Sequence, residues 1–180
     1  MEFTKCVSGR RSIRIYKKNT VDREILEKIV ATAIFSPSWK NCQAIRYTVI
    51  DNLDLKNQIA DQCILGFAPN QNVIKSAPVL VIQTIIASRS GFERDGSYST
   101  VKGDGWEMFD AGISAQTFCL SAYNEGLGTL IMGLFDESRL IELVNIPEGQ
   151  KVISLIALGY PDETPTMPKR KDVSQILTFV

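Results

Sequence analysis

The sequence predicts one α+β domain, and three observations carry that expectation. Segments of helical and strand periodicity interleave irregularly instead of repeating as strand–helix units. The 180 residues are 44% hydrophobic, enough to bury a core. No linker separates two such cores, so residues 1–180 read as a single unit.

The elements follow in order. From Val21, the run VDREILEKIVATAIF sets Ile25, Leu26, Ile29, Val30, Ala33 and Ile34 on one helical face, with Asp22 as its cap. SPSWKNCQ, Ser36 to Gln43, is loop chemistry, and AIRYTVID after it alternates as a strand. A helix is expected from Leu53 to Leu65, then a turn near Ala68 to Asn72, then a buried strand from Val79 to Ala87. Residues 88–105 carry several glycines and few apolar residues, so they read as a long exposed connection, a kind of segment that is commonly functional or disordered. Trp106 to Glu125 is a long helix whose positions Met108, Gly112, Ala115, Cys119 and Ala122 form a mostly small stripe. Such a stripe admits another helix closely, in the core or across a dimer interface. Gly126 to Gly128 leads into the strand TLIMG, a helix over Asp136 to Val144, and the strand KVISLIALG. The tail from Tyr160 holds three of the seven prolines and the basic run Pro168 to Lys171.

Composition narrows the function. Twenty basic and 20 acidic side chains give a formal net charge of zero, so no global field draws the chain to nucleic acid or an anionic membrane. The longest apolar runs are of strand length, short of the ~20 residues of a membrane helix, and the start lacks an apolar signal region. A cytoplasmic protein is expected. Cys6, Cys42, Cys63 and Cys119 lie far apart and read as reduced thiols; no metal site is expected. The count of histidines is zero, which removes Ser-His-Asp and Cys-His pairs and the usual base near neutral pH. Any difficult chemistry then belongs to a cofactor, and no catalytic side chain is predicted.

Three motifs stand out. In GRRSIRIY, Gly9 to Tyr16, an extended backbone turns Arg10, Ser12 and Arg14 to one side while Ile13 and Ile15 face the core. That set of guanidinium and hydroxyl donors suits a phosphate. An exposed basic strand edge that discourages aggregation fits the same spacing. GLGTLIMG lacks the strand-before, helix-after order of a dinucleotide fingerprint, so Gly126 reads as a helix stop. SPSWKNCQ is either a turn closed by Asn41 or a polar wall made of backbone amides, Ser38 and the face of Trp39.

Together these segments resemble the FMN-dependent nitroreductase family over nearly the whole chain. The landmarks, in the family's order, are an RRSxRxF-like opening at Arg10 to Tyr16, a PSxxNxQ-like loop at Pro37 to Gln43, a small-rich helix ending in GLGT at Asp110 to Thr129, and LGYP followed by PxRK at Leu158 to Pro161 and Pro168 to Lys171. The resemblance implies an α+β fold with a mixed, largely antiparallel sheet flanked by helices, in an intertwined homodimer with two FMN sites at its interface. Residues 161–180 would be an extension packing on the partner subunit. Arg10, Arg11, Ser12 and Arg14 would hold the FMN phosphate and the pyrimidine side of the flavin, with Arg170 returning to the phosphate. Pro37, Ser38, Trp39 and Asn41 would come from the partner, and the Met132 to Gly133 backbone would approach the ring.

QAIRY, Gln43 to Tyr47, departs from the QPWRF of many relatives, and Tyr16 replaces their phenylalanine. The implied activity is ping-pong: NADH or NADPH reduces FMN, and a small electron-poor acceptor such as a nitroaromatic or quinone takes the electrons. A specialised relative performing dehalogenation, biosynthetic oxidation or flavin breakdown shares these features, as does a non-catalytic flavin-binding sensor. A colourless α+β dimer without flavin is the plainest alternative.

Overall fold

Four runs rich in Val, Ile and Leu build the sheet, which suits such side chains because they pack well on a pleated surface. In the computed structural model, which describes residues 1–180, these are β1 (Ile45–Ile50), β2 (Val79–Ile86), β3 (Gly128–Met132) and β4 (Gln150–Gly159). Their order is β1-β2-β4-β3 with every strand pair antiparallel. A single parallel bridge, Ser12 to Thr129, lays the arginine segment along the outer edge of β3.

The sheet is covered on both faces because its two central strands are apolar on both sides. On one face α2 (Arg23–Ala33) and α5 (Gly105–Asn124) bring Leu26, Ile29, Phe118 and Ala122 onto Val79, Val81, Ile156 and Leu158. On the other, α3 (Leu53–Cys63), α4 (Ala68–Ser76) and α6 (Glu137–Val144) pack Ile59, Ile74 and Leu140 against Leu80, Ile82 and Ala157. Each fully buried side chain of this size contributes about 1.5–3 kcal/mol relative to exposure. No helix is long and apolar enough to cross a membrane.

Four features depart from the sequence reading or add to it. The turn near Ala68 to Asn72 is the start of α4, because Pro69 lies in the first helical turn, where a missing N–H costs nothing. A short α1 (Phe3–Gly9) precedes the arginines, capped by the Glu2 carboxylate on the amides of Thr4 and Lys5. Ile15 is 54% exposed instead of facing the core, while Tyr16 is buried. The segment bends there to meet the tail: Ile15 O accepts from Asp162 N at 2.9 Å, and Lys17 N donates to Tyr160 O at 2.9 Å. That bend breaks the strict alternation. The predicted stripe on α5 also divides, with Ala115, Cys119 and Ala122 buried and Met108 and Gly112 exposed.

Candidate functional site

Two glycines place the arginine segment. Gly126 has φ +81° and ends α5, as expected from its position. Gly128 opens β3 directly under Ile13; a Cβ there would lie 2.8 Å from the Ile13 Cβ, closer than such atoms pack. Only a bare backbone lets Ile13 seat, with its N–H donating to Thr129 O at 3.0 Å. Tyr16 completes the mount: its buried hydroxyl donates to Ile13 O at 2.7 Å and lies 3.3 Å from Ala157 O. Burial first, and then the Glu163 carboxylate, push the Tyr16 hydroxyl well above its ordinary titration range. Glu163 Oε1 accepts from the backbone amides of Arg14 and Ile15, fixing the outer side of the segment.

The arginine side chains, by contrast, are uncommitted. None of Arg10, Arg11, Arg14 or Arg170 has a carboxylate within ion-pairing distance; Arg11 donates only to the carbonyls of Ser8 and Arg10, and Arg14 lies 3.5 Å from Ser12 O. A cleft of about 470 Å³ beside them is lined by Gly9, Arg11, Gly128, Glu163 and Pro165. Met132 and Gly133 close the far end of β3 along the same edge, and nothing lies within 4 Å of where a Gly133 Cβ would sit. Arg170 stands on a tail that is exposed from Thr166 onward, with no hydrogen bond to the other arginines.

The Pro37–Gln43 loop belongs to the opposite edge, where it feeds β1. Its backbone is unusual: Lys40, Asn41 and Gln43 have φ of 44°, 54° and 47°, each costing about 1–3 kcal/mol for a residue with a side chain. A short 3₁₀ turn, Trp39–Asn41, forms within it. Ser38 Oγ accepts from Gln43 N at 3.0 Å, and the Trp39 amide donates to Asp110 Oδ2 at 2.9 Å. The indole N–H of Trp39 is buried without an acceptor. A second cleft, of about 390 Å³, is lined here by Pro37, Ser38, Tyr47, Asp110 and Ser114.

The register shows how far apart these parts lie. The arginines join the sheet where β3 begins, at Thr129, opposite the end of β4 and the start of β2. The loop enters at Ile45, which pairs with Ile85 at the other end of β2. One chain therefore gathers Arg10, Arg11, Ser12, Arg14, Met132 and Gly133 on one edge, and Pro37, Ser38, Trp39 and Asn41 on the diagonally opposite corner. Neither cleft is lined by both groups.

Sequence reasoning missed two carboxylates on α5. Glu107 accepts from Ser88 N at 2.7 Å and pairs with Lys151 at 2.7 Å, which raises the lysine pKa. Asp110 accepts from Trp39 and from Ser90. The available signal was an acid on the apolar side of a helix, at positions 107 and 110, where an unpaired charge would not persist.

The profile of the Nitroreductase family matches residues 7–160. Among curated proteins, the chain is 29% identical over 169 residues to a Methanothermobacter thermautotrophicus protein provisionally named NADH dehydrogenase/NAD(P)H nitroreductase, covering 92% of this chain and 80% of that one. It is 28% identical to the iodotyrosine deiodinase of Nematostella vectensis, over 99% of this chain and 75% of that protein. Among solved structures, a nitroreductase family protein from Clostridium novyi NT superposes with a TM-score of 0.79 at 27% identity, covering 93% of this chain and 89% of the other.

Proposed function

The chain belongs to the nitroreductase family, and from that premise we propose that it is an FMN-dependent oxidoreductase. It takes a hydride from NADH or NADPH and delivers two electrons to an electron-poor acceptor, a nitroaromatic or quinone, in ping-pong order. The observation that carries this reading is the row of unpaired guanidiniums at Arg10, Arg11 and Arg14, mounted on β3 in a chain whose net charge is zero. Guanidiniums that pair with no carboxylate, beside a cleft whose one acidic lining residue, Glu163, is taken up by the backbone amides of Arg14 and Ile15, fit a phosphate of close to two negative charges, so the residues present suit FMN.

FMN, when bound, supplies the uptake and release of hydride. The protein supplies the rest. Arg10, Arg11 and Ser12 hold the phosphate, with Arg170 returning from the tail. Arg14 lies toward the pyrimidine side, where a cation favours negative charge and eases reduction. The open space at Gly133 lets a flat ring approach the Met132–Gly133 backbone. No histidine is required, because hydride transfer needs no protein nucleophile.

Pro37, Ser38, Trp39 and Asn41 complete the site from a second copy. The separation of the two corners within one chain supports a homodimer in which each flavin lies between the arginines of one chain and the loop of its partner. Residues 161–180 extend onto that partner, and the protein works in the cytoplasm.

Anaerobic mixing of FMN-loaded protein with NADH and with NADPH tests the activity. At least one nicotinamide should bleach the yellow flavin; bleaching by neither contradicts the reductase reading, and protein that takes up no FMN contradicts the flavin reading. A second reading, reductive dehalogenation, is supported by the similarity to a deiodinase. Halide released from a halogenated phenol by the reduced protein would favour it over nitro reduction.

A further inference from the structure

Two long stretches without regular partners meet on α5. Asp110, only 3% exposed, presents Oδ2 to the Trp39 amide at 2.9 Å and to the Ser90 hydroxyl at 2.6 Å. Cys42 Sγ lies 3.8 Å from the same oxygen. One atom thus takes hydrogen bonds from the Pro37–Gln43 loop and from the 88–105 segment. Around it the loop makes further contacts: the Trp39 ring lies 4.7 Å between centroids from that of Trp106 in the first turn of α5, and Lys40 Nζ lies 2.8 Å from the Glu93 carboxylate of the 88–105 segment. The Trp106 indole in turn donates to Thr100 at 2.8 Å.

The loop does not hold itself. With three side-chain-bearing residues at positive φ, its own bonds are the Asn41 and Cys42 amides to Ser38 and Trp39, and Gln43 to Ser38 Oγ. Its links to α5 centre on Asp110, through the Trp39 amide and the Cys42 thiol, with the Trp39 ring packed on Trp106 beside them. The Lys40–Glu93 pair is exposed and contributes little, whereas losing the Asp110 bonds leaves the Trp39 amide without an acceptor and the Ser90 hydroxyl with only the Trp106 carbonyl, 3.1 Å away.

We propose that Asp110 is a positioning residue that locks the Pro37–Gln43 loop to the 88–105 segment. The face that the loop offers the flavin and the segment flanking it are then set together by one buried carboxylate. This rests on reading the loop as part of the flavin site. Asp110 itself touches neither flavin nor acceptor; it acts through Trp39 and Ser90.

The chain's two tryptophans, Trp39 and Trp106, are both in this joint. Near-ultraviolet circular dichroism from the indole pair therefore reports the joint directly, with or without flavin. In Asp110→Ala the coupled signal should be lost at temperatures well below unfolding, with the far-ultraviolet spectrum intact, and the FMN dissociation constant should rise about tenfold. Asp110→Asn, whose amide oxygen still accepts from both donors, should stay within about threefold of the wild type and retain the signal. Ser90→Ala, a milder change on the far stretch, should weaken the signal and raise the FMN dissociation constant by about threefold.

An unaltered indole signal in Asp110→Ala, or a lost signal with wild-type FMN affinity, overturns the proposal. Where Asp110→Ala does not fold, Ser90→Ala with wild-type signal and affinity overturns it. Failure of the flavin reading is separate, because the wild type itself would then take up no FMN.

Discussion

The arginine segment and the Pro37–Gln43 loop occupy opposite corners of the sheet and are held by opposite means. The segment is fixed mainly backbone to backbone, through Ile13 to Thr129, Lys17 to Tyr160 and Ile15 to Asp162, with Glu163 accepting from its Arg14 and Ile15 amides, and its cationic side chains make no ion pair. The loop carries a backbone of left-handed residues and is fixed by a side chain from a distant helix, Asp110. A backbone mount leaves side chains available for a ligand. A side-chain mount makes the shape of the loop depend on a residue 71 positions away.

Breaking the first corner should have the largest effect. Removing Arg10 and Arg14 together deletes two sets of charge-assisted bonds at about 1.5–3 kcal/mol each, which corresponds to FMN binding weaker by about two to four orders of magnitude. Isothermal titration with FMN measures this, and thermal stability should hardly move, since neither side chain is ion-paired. If Arg14 faces the pyrimidine side, Arg14→Ala alone also lowers the flavin reduction potential.

The mount comes next. Gly128→Ala places a methyl group against Ile13, whose buried branch cannot swing away, and should destabilise the fold by about 1–3 kcal/mol in denaturant titrations. FMN affinity should fall with it, because the arginines ride on that contact. Retained stability and affinity would mean that the segment is seated elsewhere.

The smallest effect sharpens the comparison through pH. Burial raises the titration of Tyr16, Tyr47, Cys63 and Cys119 above their ordinary values. A raised folded-state pKa means stability that is complete below the ordinary value and lost as pH climbs beyond it. Unfolding midpoints should therefore drop above about pH 9, where cysteine ordinarily titrates, and further above about pH 10 for tyrosine. On the acid side shifted groups such as Glu93 and Asp95 are exposed, so the decline below pH 4.5 should be shallow. Tyr16→Phe removes one buried hydrogen bond, costs about 1 kcal/mol at neutral pH, and flattens the alkaline decline.

The same contrast explains what was readable from sequence. The arginines, the helix stop at Gly126 and the apolar strands are local patterns, and they appear where the residues indicated. Pro69 misled because a proline in a first helical turn looks the same in sequence as one in a loop. Ile15 misled because strand alternation assumes an unbent segment, and the bend is imposed by Asp162 and Glu163 from the far end of the chain. Asp110 was passed over because its partners, Trp39 and Ser90, come together only through tertiary packing. The 88–105 segment read as exposed, yet Ser90 and Gly91 are buried by that same joint.

The central claim, that each flavin lies between the arginines of one chain and the loop of another, is tested most directly by hybrid dimers. One variant, Arg10→Ala with Arg14→Ala, loses FMN at the first corner; another, Trp39→Ala with Asn41→Ala, loses it at the second. Co-expressed under separate affinity tags and purified as the mixed species, they combine one intact arginine segment with one intact loop from opposite chains. Recovery of one tightly bound FMN per hybrid dimer is predicted. A hybrid as empty of flavin as its two parents would contradict the claim.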